Sequence, residues 1–118
     1  NADDQWHEAA EKAFATLDQD ETTLVTTAYV LLECGNAAAR SGMRKEVDRL
    51  REQFELADTL IWPTSADWIE AWAAYRRGGA DSAGIVDHIS FAVMRRAGIA
   101  RAFTNDRHFR AAGFETLF

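Results

Sequence analysis

Apolar positions along the chain alternate between two spacings: stripes that recur every third or fourth residue, and short β-branched runs. Trp6, Ala10, Ala13, Phe14 and Leu17 form a first helical stripe, and either Asp3 or Asp4 is placed to cap it. "TTLVTT" (22–27) reads as a strand, and Thr26 or Thr27 can cap a helix over 28–40 with Gly42 beyond its end. A helix over 43–57 carries Met43, Val47, Leu50 and Phe54 on one face. "TLIWP" (59–63) is a second strand, stopped by the single proline. Ser65 then caps a helix whose Trp68, Ile69, Trp72 and Tyr75 are expected to face inward, closed by Gly78-Gly79. After a flexible "GGADSAG" come a helix over about 85–96 ended by Gly98, a strand "ARAFT" (100–104), a short helix, and a last strand, "ETLF", after Gly113.

Short strands alternating with helices predict an α/β fold with a mostly parallel sheet covered on both faces. Ligands of such sheets bind in the crevice at the carboxyl ends of the strands. Thr26-Thr27 and Asn105-Asp106 lie at two such ends.

The 118 residues correspond to one domain, spanning 1–118, with no repeat or linker that would divide it. A net charge of −6 argues against a protein that grips nucleic acid by bulk electrostatics, yet not against a nuclease with acids gathered at a metal site. Arg40, Arg44, Lys45, Arg49 and Arg51 cluster, as do Arg76 with Arg77 and Arg95 with Arg96. Helical spacing alone does not separate a solvated face from a phosphate track. Cys34 is the only cysteine, which excludes an internal disulfide and fits a reducing cytoplasm. No apolar run approaches the ~20 residues that span a bilayer, and "NADDQWHEAAEKAF" has no signal-peptide pattern.

Three acids stand in apolar company. Glu33 is the only charge between Ala28 and Ala39, and burial there would cost several kcal/mol unless the helix turns it to solvent or a cation pairs with it. Asp87 lies in the first turn of its helix in "GIVDHISFAVM", where the helix dipole already favours an acid. Asp106 in "FTNDRHF" can be an ordinary N-cap. Brought to one crevice, the three would repel one another unless a hard divalent ion with oxygen ligands were bound.

"TTAYVLLECGNAAAR", "GIVDHISFAVMRRAGI" and "AFTNDRHFRAAGF", in this order, resemble PIN-domain ribonucleases, particularly VapC-type toxins of bacterial toxin–antitoxin pairs. The resemblance runs over essentially the whole chain. It implies a three-layer α/β/α sandwich and an endoribonuclease that uses Mg²⁺ or Mn²⁺ held by a quartet of acids. Glu33, Asp87 and Asp106 match three of those positions, as catalytic residues and metal ligands. Thr104 matches the hydroxyl of the last motif, Ser90 follows the third acid in the family manner, and Asp81 is a candidate outer acid. An RNA substrate, an antitoxin protein and a homodimer are the partners implied.

The chain departs from the family at its start. Family members begin with a central strand bearing the first acid, whereas "NADDQWHE" reads as the sequence that follows it, so the domain is expected to be N-terminally incomplete. A fragment, a strand supplied by a partner, and a shortened relative are the three explanations. Without that strand, "TTLVTT" and "ARAFT" would either pair with each other or leave ladder groups open. Without its acid, an impaired domain acting as a protein-binding module is the competing function, with the amphipathic "RSGMRKEVDRLREQF" as its docking surface. A response-regulator-like domain is disfavoured, because no acid pair with a phospho-acceptor stands at the early strand ends. Arg107 is expected to be exposed, His108 to pack, and His7 and His88 to lie at the surface or its boundary. Trp62, Trp68, Trp72 and Tyr75 are assigned to the core in preference to base stacking.

Overall fold

The computed structural model describes residues 2–118, and among these all side chains except those of residues 2–7, 10 and 14. The expected cap at Asp3 or Asp4, the stripe residues Trp6, Ala10 and Phe14, and His7 therefore lie outside the described side chains. The described residues form α1 (Ala2–Gln19), β1 (Thr26–Thr27), α2 (Ala28–Ala38), α3 (Arg44–Leu56), β2 (Leu60–Ile61), α4 (Ser65–Arg77), α5 (Gly79–Ser82), α6 (Ile85–Ala97), β3 (Arg101–Ala102), α7 (Arg107–Ala111) and β4 (Glu115–Thr116). Contacts divide the chain into two compact units: Asn1–Thr23 with Asp67–Phe118, and Leu24–Ala66.

In the Leu24–Ala66 unit, β1 pairs in parallel with β2, Thr26 opposite Leu60 and Thr27 opposite Ile61. Thr27 ends the strand and starts the helix: its Oγ1 accepts the Val30 N–H at 3.2 Å, satisfying one of the free donors at the start of α2. Its neighbour Ala28 and the last helical residue, Ala38, are buried. No residue of α3 is buried, and the expected inward face is split: Val47 and Phe54 are half-buried, Met43 and Leu50 exposed. Arg51 laces the helix, donating to Asp48 at 2.9 Å and to Glu55 at 2.6 Å. Exposed pairs of this kind add little stability.

The larger unit is organised by α6. Every residue from His88 to Met94 is buried, as suits a helix that is apolar on nearly all sides. Leu17 of α1 and Ala71 of α4 are buried in the same unit. Phe91 is the hub, with ring centroids 4.9 Å from Phe109 and 5.7 Å from Phe114. Gly98, left-handed at φ 71°, ends α6 in the backbone region glycine enters at least cost. The chain then returns as β3, parallel to β4, with Arg101 opposite Glu115 and Ala102 opposite Thr116.

An α/β composition with parallel pairing agrees with the expectation, while every strand is shorter than its β-branched or apolar run suggested. Of "TTLVTT" and "ARAFT" only Thr26–Thr27 and Arg101–Ala102 are laddered, each in a two-stranded sheet within its own unit. Ser65 is the first residue of α4. Within "GGADSAG", Gly78, Ala80, Asp81 and Ser82 are all left-handed, at φ 73°, 50°, 58° and 62°. For non-glycine residues this conformation costs about 1–2 kcal/mol each.

The aromatic face of α4 is a correction. Trp68, Ile69, Trp72 and Tyr75 are exposed, as is Trp62. The side of α4 that turns inward carries Ala71 and, contrary to simple hydropathy, Asp67, which is 2% exposed. Arg96 explains the burial of that acid, since its Nε and Nη2 donate to both carboxylate oxygens at 2.9–3.1 Å, tying α4 to α6. Removing one partner of a buried pair leaves the other charge uncompensated, whereas replacing both by apolar groups is far milder. Arg96→Ala should lower the thermal unfolding midpoint by about 10 °C. The double change Asp67→Leu/Arg96→Leu should lower it less, and a calorimetric scan of the three proteins measures both.

Candidate metal site

Asp87 and Asp106 come from elements that local rules place independently. Asp87 is the third residue of α6, in a first helical turn whose free N–H groups favour a negative charge. Asp106 is the N-cap of α7, its Oδ1 accepting the His108 N–H at 2.9 Å. Thr104 holds the turn from the other side, its Oγ1 accepting the Asp106 N–H at 3.1 Å. The bland explanation for each acid is thus correct, and it leaves carboxylate oxygens over.

Those oxygens meet. Asp87, Asp106 and His108 each offer one ligand atom such that all lie within 4.8 Å of one another, and all three residues are half-buried. His108 is therefore not the packing residue expected: its Nδ1 is 2.7 Å from Asp106 Oδ1. A carboxylate can only accept, so Nδ1 carries the proton and the imidazole is oriented by the bond.

The electrostatics of the two acids diverge. Burial, followed by the charge of Asp106, pushes the Asp87 carboxyl above the ordinary carboxylate range. Burial also acts upward on Asp106, but the His108 backbone and ring hydrogen bonds outweigh it and hold that carboxyl below its usual value. One oxygen ligand is ionised with ease while its neighbour resists ionisation. A cation placed between them would remove the conflict. Two hard carboxylate oxygens within 4.8 Å of each other suit a divalent ion, with the His108 Nδ1–H engaged in orienting Asp106.

The remaining candidates are distributed differently. Asp81 is exposed and bonded to Arg107, its Oδ2 3.4 Å from Nε, so it braces the exposed arginine beside Asp106 and does not join the cluster. Ser90 is buried within α6. Glu33 lies on α2 in the other unit and is exposed, so the predicted desolvation of its carboxylate does not arise. His88 is a second correction, being 3% exposed with no partner for Nε2 among the described residues. Burial lowers its pKa and keeps it neutral. Its ring packs edge-to-face on Phe91 at 5.5 Å, which apolar neighbours alone did not reveal.

A family model described as the PIN domain matches residues 2–115. The chain belongs to the PIN-domain family. PIN domains are generally nuclease domains that act on RNA and usually use divalent metal ions, and this PIN domain carries an acidic, histidine-supported cluster. No curated protein and no solved structure matches the chain. Among the described residues no helix is long and apolar enough to cross a membrane.

The raised Asp87 pKa has a definite sign. Its contribution favours the folded state below the ordinary carboxylate pKa and is lost as pH rises through the folded value. Without divalent ions, Asp87→Asn should therefore raise the unfolding midpoint at pH 7, with the gain vanishing near pH 3. Mn²⁺ at about 100 times its Kd should stabilise the parent chain by about 2.7 kcal/mol, and Asp87→Asn and Asp106→Asn much less. Thermal scans across pH, with and without Mn²⁺, measure both effects.

Proposed function

We infer that this PIN domain is a divalent-metal-dependent endoribonuclease, acting in the cytoplasm as the toxin of a bacterial toxin–antitoxin pair. The observation that supports it most is the convergence of Asp87, Asp106 and His108 from the starts of two helices, with the two carboxyl pKa values driven apart. In this reading Asp87 and Asp106 hold Mg²⁺ or Mn²⁺, and Glu33 joins them on the strength of its sequence motif. Thr104 is a positioning residue through the Asp106 backbone. Ser90 and Asp81 are supporting residues, Asp81 by bracing Arg107. The same reading includes the family's three-layer α/β/α sandwich and a single domain over 1–118.

A bound Mg²⁺ or Mn²⁺ supplies a Lewis acid for the scissile phosphate and makes water more acidic. The residues of the chain do the rest. Asp106 stays ionised because His108 donates to it twice, from the backbone and from the ring. Asp87, whose carboxyl resists ionisation until a cation arrives, makes occupancy of the site depend on pH. With a net charge of −6, attraction of RNA falls to local arginines and not to the molecule as a whole.

A second reading is favoured by one observation. In the Leu24–Ala66 unit an apolar groove of about 470 Å³ runs between α2 and α3, lined by Leu31, Leu32, Val47, Leu60 and Trp62. Leu32 and Trp62 are exposed at it, and the Arg51–Asp48–Glu55 cluster contributes charged lining. Such a groove suits an antitoxin segment or a second copy in a homodimer, and it would serve equally a catalytically impaired domain that only binds proteins.

Hydrolysis of a labelled single-stranded RNA with Mn²⁺ or Mg²⁺ separates the two readings. Asp87→Asn and Asp106→Asn should each reduce the rate about 10²–10³-fold, and EDTA should abolish it. Equal residual activity in all three proteins would sink the nuclease reading and leave the binding module.

A further inference from the structure

The exposed face of α4 has a composition that neither core packing nor the acidic cluster explains. At about 100° per residue, Trp68, Trp72 and Arg76 fall within about 80° of one another, with Tyr75 alongside. Trp68 is 46% exposed, Trp72 39% and Tyr75 46%. The acids of the same helix are directed elsewhere: Asp67 is buried against Arg96, and Glu70 projects about 160° around the helix from Trp72. The stripe therefore combines three large rings with one cation and no carboxylate. Arg76 is exposed and forms no ion pair among the described residues.

The rings are braced without being stacked on one another. Trp68 meets Trp72 edge-to-face at 5.9 Å and 65°, and Trp72 meets Tyr75 at 5.3 Å and 80°. Edge-to-face contact holds ring orientations, and the exposed Trp72 and Tyr75 keep flat π-surface for a planar guest. The series continues toward the acids within the same unit, since the Tyr75 ring centroid is 6.4 Å from that of His88, the residue after Asp87. A chain of rings thus connects the exposed stripe with the first turn of α6. An apolar partner would have no use for an arginine without an ion pair among the described residues at the end of its contact, whereas a strand of bases and phosphates uses both parts.

We propose that the Trp68–Trp72–Tyr75–Arg76 stripe is a stacking platform for single-stranded RNA, with bases on the rings and a phosphate on Arg76. It holds nucleotides that flank the position cut at the Asp87–Asp106 cluster, and in that respect it rests on the nuclease reading above. Because stacking is tolerant of base identity, the platform supplies affinity for unpaired RNA with little sequence preference.

The test is titration with a fluorescein-labelled single-stranded RNA of about ten nucleotides, in EDTA so that nothing is cleaved. Trp72→Ala should weaken binding about tenfold or more, Trp72→Phe should restore most of it, and an abasic strand of equal charge should not distinguish the two variants. Arg76→Ala should reduce the slope of log affinity against log salt by about 1. Trp72→Ala binding RNA within about twofold of the parent would overturn the platform. So would a shift to a smaller species in sedimentation with RNA affinity unchanged, which would make the stripe a contact between protein chains. Because the titration contains no divalent ion, it decides the platform even if Asp87→Asn and Asp106→Asn cut RNA as well as the parent and the nuclease reading falls.

Discussion

The burial of α6 is the constraint on which the candidate site depends. With His88 through Met94 out of solvent, the helix cannot rotate without exposing apolar area, at roughly 25 cal/mol for each Å². Its first turn is fixed as a result, and Asp87 with it. Phe91 extends the constraint by packing on Phe109, the residue after His108. Aromatic contact between α6 and α7 thus sets the distance between two carboxylates that belong to different helix starts.

Helix capping and metal chemistry share the same atoms here. An N-cap acid and a third-position acid are where helix termini want negative charge, because free N–H donors point at them. Asp106 uses part of its carboxylate on the backbone and presents the rest. Two such termini brought together concentrate oxygen ligands. The cost is electrostatic and falls on Asp87, whose ionisation is opposed by burial and by Asp106. His108 lessens the burden on Asp106 by donating to it twice. A left-handed run from Ala80 to Ser82 adds backbone strain in the loop before α6, where Asp81 also lies 3.4 Å from the exposed Arg107.

Helix positions were readable because caps and periodicity are local: Thr27, Asp106 and Gly98 perform the roles their residue types suggested. Strands were overread. A β-branched run such as "TTLVTT" is compatible with extension, but ladder pairing needs a neighbour, and only Thr26 and Thr27 have one. The aromatic stripe of α4 was misassigned for a related reason. Hydropathy says which side chains gain from burial, not which side of a helix its neighbours cover, and the inward side went to Asp67 because Arg96, 29 residues away, could satisfy it. His108 was missed as a site residue because its contact with Asp106 depends on how the α7 turn closes.

By itself the sequence determined membership of the PIN-domain family, the helix starts and the two acids of the cluster, all of which follow from residue type at short spacing. Tertiary structure alone decided that Asp87, Asp106 and His108 share one place, that their carboxyl pKa values separate, and that His88 is buried while three aromatic rings of α4 are not. The division has a physical origin. Capping and periodicity act within a few residues along the chain, whereas desolvation and charge–charge coupling depend on neighbours that only packing supplies.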